Sequence, residues 1–111
     1  MTKLYKNRTI KFRAWLGGVM HPKWLRIDMD VYKDHPGIVI MQYTGLKDKN
    51  GKEIYEGDII ISASVAVKIK PTVIEWDDIY SGYDIFTDPE SILGSNDYEV
   101  IGNIYENPEL L

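Results

Sequence analysis

Glu75, Asp77 and Asp78 form the densest group of acids in the chain, and carboxylates brought beside Asp58 or Asp84 can hold magnesium or share a proton as general acid and base. Glu75 and Asp77 fall on one face of an extended strand, two positions apart. A solvated acidic edge that discourages strand-to-strand aggregation uses the same pattern and is the commoner outcome. A metal-dependent hydrolase built on Asp58, Glu75 and Asp77 is therefore a distant third reading. The run Asp48-Lys49-Asn50-Gly51 invites a calcium reading. With Gly51 on the invariant glycine of an EF-hand loop, Leu46 and Gly57 occupy the anchoring positions where carboxylates are required, so a hairpin turn is favoured. His21 and His35 each precede a proline in a segment read as loop, with no serine setting beside them. Cysteine is absent, which excludes thiolate nucleophiles, thiolate zinc sites and disulfides. No glycine-rich phosphate loop occurs either. The expectation is a protein without catalytic residues, metal or cofactor.

Two binding surfaces compete for the function. Lys11, Arg13 and Trp15 share one face of a period-two segment, with Arg8 beside it. Cations that contact phosphates and an indole that stacks a base would make this a nucleic-acid face. Trp24 and Arg26 extend it if the next strand pairs there. The net charge of −4 weighs against a dedicated nucleic-acid binder. Charge is distributed unevenly: residues 1–27 carry seven bases and no acid, residues 71–111 ten acids and no base. Mutual neutralisation of these two ends is the simpler expectation. The second surface is Asp77-Asp78-Ile79-Tyr80-Ser81-Gly82-Tyr83-Asp84, an acidic loop whose Asp77, Asp78, Tyr80 and Tyr83 suit a basic groove on a partner protein.

The elements that must position these residues are short strands. Thr9–Trp15 alternates apolar and polar residues and turns at Gly17-Gly18. Val19-Met20 and Trp24–Ile27 read as two short strands interrupted by His21-Pro22, and Asp30–Gly37 as a loop. Ile38–Tyr43 is a buried strand, and Asn50-Gly51 a tight hairpin turn using positive φ. Tyr55–Ile61 is a glycine-marked bend entering a second buried strand. Val65–Lys70, Thr72–Trp76, Tyr83–Phe86 and Glu99–Tyr105 are further strands, and Asp88–Leu93 a short helix. No stretch is long and apolar enough for a membrane span or a signal peptide, so the expected compartment is the cytoplasm.

Ile10-Lys11-Phe12-Arg13-Ala14-Trp15, the long block from Gln42 to Ile59, and Tyr98–Pro108 together resemble the YopX family of phage and prophage proteins. Glu75-Trp76-Asp77 resembles a short motif of the same family. The resemblance implies a mostly β, phage-encoded protein in the host cytoplasm, and it brings no catalytic residues with it. The expected fold is all-β: a small SH3-like barrel or sandwich of about seven short strands with at most one short helix. Residues 1–111 are read as one domain, strands 1–45 packing on a barrel at 46–107. The leading function is a non-enzymatic accessory module that binds a host or phage protein. A weak nucleic-acid-binding barrel is the alternative, and self-association stays open.

Overall fold

A computed structural model describes residues 9–62, 70–79, 81–83 and 97–111. Within them lie nine short strands, and the fold is all-β, its sheet curled into a half-barrel. The first strand, β1 (Phe12–Leu16), pairs antiparallel with β2 (Val19–Trp24). Gly17 and Gly18 both take positive φ, 62° and 76°, which is the two-residue turn whose twist matches a hairpin. β2 is a single strand running through Pro22 rather than the two expected pieces, and it ends at Trp24 rather than Ile27. Two features accommodate the proline. β2 is the edge of its sheet, and the register slips between Phe12↔Trp24 and Ala14↔His21, so that Pro22 and Lys23 bulge opposite Arg13.

The segment expected to be a loop at 30–37 contains one helical turn, α1 (Val31–Asp34). It exists because Val31 is needed in the core: that side chain is 1% exposed and clusters with Ala14 and Ile38, with Leu16, Trp24 and Ile40 packed around them. One turn is too short to leave a 3.6-residue pattern in the sequence.

β3 (Val39–Lys47) is the longest strand and the spine of the first sheet, in the order β2-β1-β3-β4. The connection to β4 (Glu53–Tyr55) is not the two-residue turn that Asn-Gly suggests. Only Gly51 has positive φ, 79°. Gly51 N–H donates to Asp48 C=O, and Asp48 N–H to Lys52 C=O, which makes a three-residue loop closed by a glycine bulge. Glu56-Gly57 then turns the chain out of the first sheet into β5 (Asp58–Ser62). β5 is the centre of the second sheet, β6-β5-β9, between β6 (Thr72–Val73) and β9 (Tyr98–Asn103). β7 (Trp76–Asp77) and β8 (Gly82–Tyr83) form a small hairpin. Ile54, Ile60, Ile74, Tyr83, Tyr98 and Val100 make a core that joins the two sheets and the hairpin.

Thr72–Trp76 was expected as one strand and is two, because the chain bends at Ile74 to bury its side chain and to give its N–H to Asp58 C=O. The last strand stops at Asn103, two residues short of Tyr105. Asn103 Oδ1 accepts N–H from Tyr105 and Glu106, and Asn107 Oδ1 accepts Asn103 N–H, so side chains fold the backbone into a turn before a closing 3-10 turn at Pro108–Leu110. The expected strand at 65–70, apart from Lys70, and the helix at 88–93 lie outside the described residues.

Candidate functional site

Arg13 and Trp15 lie two apart in β1 and Lys11 just before it, and each of the three side chains has a partner within the fold. Lys11 forms an ion pair with Glu53 and its ammonium lies 5.0 Å from the Tyr43 ring centre. The Arg13 guanidinium is buried, donates to Asp58 Oδ1 at 2.8 Å and to Glu56 C=O at 3.2 Å, and covers the Tyr55 ring at 4.8 Å. Trp15 stacks on Tyr105, ring centres 5.8 Å apart. Arg8 lies outside the described residues. The N-terminal cations were expected to meet the acidic C-terminal part, yet Lys11 pairs instead with Glu53 of β4, next but one to β1 across β3, and Arg13 with Asp58 at the start of β5.

Asp58 is the most deeply buried carboxylate among the described residues. It is 1% exposed, and Oδ2 accepts the Tyr55 N–H at 2.7 Å while Oδ1 faces Arg13. Burial pushes its pKa up, and the Arg13 charge with the Tyr55 N–H pulls the other way without cancelling that rise. Asp48 shows the opposite balance. It too is buried, which by itself would raise its pKa, but N–H groups of Val100, Lys52 and Asn50 converge on its two oxygens and hold it below the usual carboxylate range. Of the three acids weighed for metal chemistry, Asp58 faces the interior and Glu75 opens to solvent, while Asp77 Oδ1 accepts the Ile79 N–H in the β7–β8 turn. Among the described residues no group of three or more His, Cys, Asp or Glu is placed to hold a metal ion. His21 lies in β2 and His35 caps α1, and the two rings flank Trp24 edge-on at 5.8 and 5.3 Å.

The acidic loop divides into parts with different placements. Asp78 and Ile79 are exposed at the turn, whereas Tyr83 is buried and meets Trp76 edge-on at 5.3 Å. Tyr80 lies outside the described residues. The aromatic ring that this hairpin displays is Trp76, half exposed. With Ile74 and Glu75 it lines a groove of about 250 Å³ whose lining also takes in Ile40 and Met41 of β3, Gly57 and Tyr105. Gly57 has φ 84°, and a Cβ there would sit 3.2 Å from Met41 Sδ, so this position requires glycine. Among the described residues, Glu56 and Glu75 are the charged ones lining it.

A second surface had no place among the sequence candidates. Leu25, Ile27, Met29 and Tyr32 are 86%, 52%, 99% and 62% exposed. The charged residues among them pair with one another at the surface. Arg26 bridges Asp28 and Asp34, Asp28 accepts the Asp30 N–H, and Trp24 Nε1 donates to Arg26 C=O. Alternation of apolar and charged residues from 25 to 30 signals a half-buried strand. Here the charged members brace the loop and the apolar members are displayed.

The described residues include no helix long and apolar enough to cross a membrane. In solved structures the fold is similar to protein EF1440 from Enterococcus faecalis, with a TM-score of 0.60, 29% identity, and coverage of 95% of this chain and 99% of that one. It is also similar in fold to the yopX protein of Bacillus subtilis, at TM-score 0.60 and 23% identity over 91% of this chain and 97% of that one. A search of the curated proteins finds no match. The family model described as YopX protein matches residues 19–111, which takes in the β3–β4 hairpin, the buried Asp48 and Asp58 and the groove, and the chain accordingly belongs to the YopX family.

Proposed function

We propose that this chain is a non-enzymatic protein-interaction module, encoded by a phage or prophage and working in the host cytoplasm on a host or phage protein. The observation that carries the reading is the braced loop from Leu25 to Tyr32. Four large apolar side chains within eight positions face solvent, on a backbone held by the Arg26 bridge to Asp28 and Asp34. Exposed apolar side chains on a pre-ordered segment bind with little loss of conformational freedom, and that is the economy of a protein contact. The resemblance supplies the phage origin, and the absence of cysteine agrees with a reducing compartment.

The test is affinity capture from host lysate, with and without nuclease, followed by rebinding of the captured protein in purified form. The parent chain should retain a stoichiometric partner after nuclease, and Leu25→Ser/Met29→Ser should weaken rebinding by about tenfold or more, the scale of a contact residue at an interface core. Equal rebinding by parent and variant would reject this surface. Capture that disappears with nuclease would put nucleic acid in its place.

A further inference from the structure

β3 is longer than its neighbour β4. Antiparallel pairing with β4 is seen at Tyr43↔Tyr55 and Lys47↔Glu53, and beyond Tyr55 the chain leaves at Glu56-Gly57. From Val39 to Met41, β3 is therefore flanked by β1 on one side and by the groove on the other. Ladder geometry states which backbone groups face that groove. Tyr43 N–H donates to Lys11 C=O, so the groups of residues 43, 41 and 39 point toward β1 and those of 42 and 40 point away from it. The Gln42 groups are satisfied by Glu56, whose N–H donates to Gln42 C=O and whose carboxylate accepts the Gln42 N–H. The next pair in the series, the N–H and C=O of Ile40, opens onto the groove without a strand opposite it among the described residues.

We infer that the groove binds an extended segment of a partner protein, which adds a strand beside β3 at Ile40 and carries a lysine or arginine flanked by apolar residues. Main-chain bonds to an exposed strand edge provide the docking, and alternate side chains provide the selection. The groove walls specify those side chains. Val39, Ile40 and Val73 are half-buried aliphatic residues of the lining, with Met41 and Ile74 buried, and its charged groups among the described residues, Glu56 and Glu75, are both acidic. The half-exposed Trp76 ring beside Glu75 is the face on which a cation is held against an aromatic. The inference rests on the interaction-module reading but uses a surface separate from the braced loop, so the two fail separately.

The experiment uses the full chain and a panel of acetylated, amidated seven-residue peptides of alternating valine and serine, with lysine, glutamine or glutamate at the centre. Binding is read from the Ile40 amide resonance and from tryptophan fluorescence. The lysine peptide should bind about tenfold or more tightly than the glutamate peptide, the range of a cation held by an aromatic and a carboxylate. Glu56→Gln/Glu75→Gln should remove that preference while leaving the amide spectrum of the core unchanged, since glutamine at 56 keeps an acceptor for the Gln42 N–H. Methylating the peptide backbone nitrogens one at a time should abolish binding at the single position whose N–H meets the Ile40 C=O and be tolerated at its neighbours, the signature of strand addition at that residue. Equal binding of the three peptides, uniform tolerance of methylation, or an Ile40 resonance that moves with protein concentration alone would each overturn the inference, the last because a second copy would then fill the groove. Loss of capture by Leu25→Ser/Met29→Ser has no bearing on these outcomes.

Discussion

Two buried carboxylates, Asp48 and Asp58, respond to pH in opposite senses. Asp48 is stabilised as an anion by three backbone N–H groups, so its contribution is fully present above the ordinary carboxylate pKa and is lost as pH falls through its depressed folded value. Asp48→Asn should cost about 1–3 kcal/mol at neutral pH, because one amide hydrogen then faces backbone donors, and it should flatten the acid limb of a denaturation series. Asp58 is pushed up by burial, so its ionised form weighs against folding as pH rises through the raised value, and Arg13 offsets that cost. Arg13→Met should therefore destabilise by about 3–5 kcal/mol at pH 7 and by distinctly less near pH 3, where the orphaned carboxyl is protonated. Urea titrations at the two pH values check both signs, and equal losses at both would refute the account. Neither role was legible in the sequence. Asp48 looks like any loop acid until Val100, 52 positions later, donates to it, and Asp58 acquires Arg13 across 45 positions. The alternation that groups Lys11, Arg13 and Trp15 was legible, but which elements would cover them was not.

At the scale of elements, the period-two segments and their glycine turns were readable from local physics. β1, the Gly17-Gly18 turn, β3 and β5 lie where alternation and turn residues put them. What local physics missed came from side chains that replace backbone partners. The end of β9 is the clearest case. The Asn107 side chain packs so closely under Gly102 that a Cβ there would stand 2.5 Å from Asn107 Oδ1, and that oxygen accepts the Asn103 N–H. Gly102→Ala should destabilise by about 1–3 kcal/mol through overpacking. Adding Asn107→Ala should recover part of the loss, by removing the clash while giving up the hydrogen bond. Thermal melts of the single and double variants test this, and additive losses would show that the two residues do not meet.

Across the whole molecule, the class was legible and the pairing order was not. Short strands, frequent glycine and proline, and 12% aromatic residues indicate an all-β domain, which the structure shows. Nothing local states that β4 joins the N-terminal sheet while β5, three residues on, is the centre of another. The division of the chain into N-terminal strands and a later barrel, drawn from the order of motifs, sets that boundary near residue 46, whereas β3 runs through it to Lys47. The displayed side chains of the 25–32 loop belong to this scale too, because whether an alternating pattern faces a core depends on what else arrives to cover it.

The bond from Val100 to Asp48 bears on how the protein is made. A ribosome adds about 5–20 residues per second, so after Asp48 is polymerised roughly 3–10 s pass before Val100 exists. By then the hairpins of the first sheet have had ample time to close, since such hairpins form in about 1–10 μs. β5 waits with its β9 edge bare and Asp48 without one of its donors. Ile54 of β4 likewise waits for Tyr98 and Val100, its partners in the core, so until β9 arrives both sheets lack part of their packing and the apolar Ile59-Ile60-Ile61 run lies open to mispairing and to chaperones.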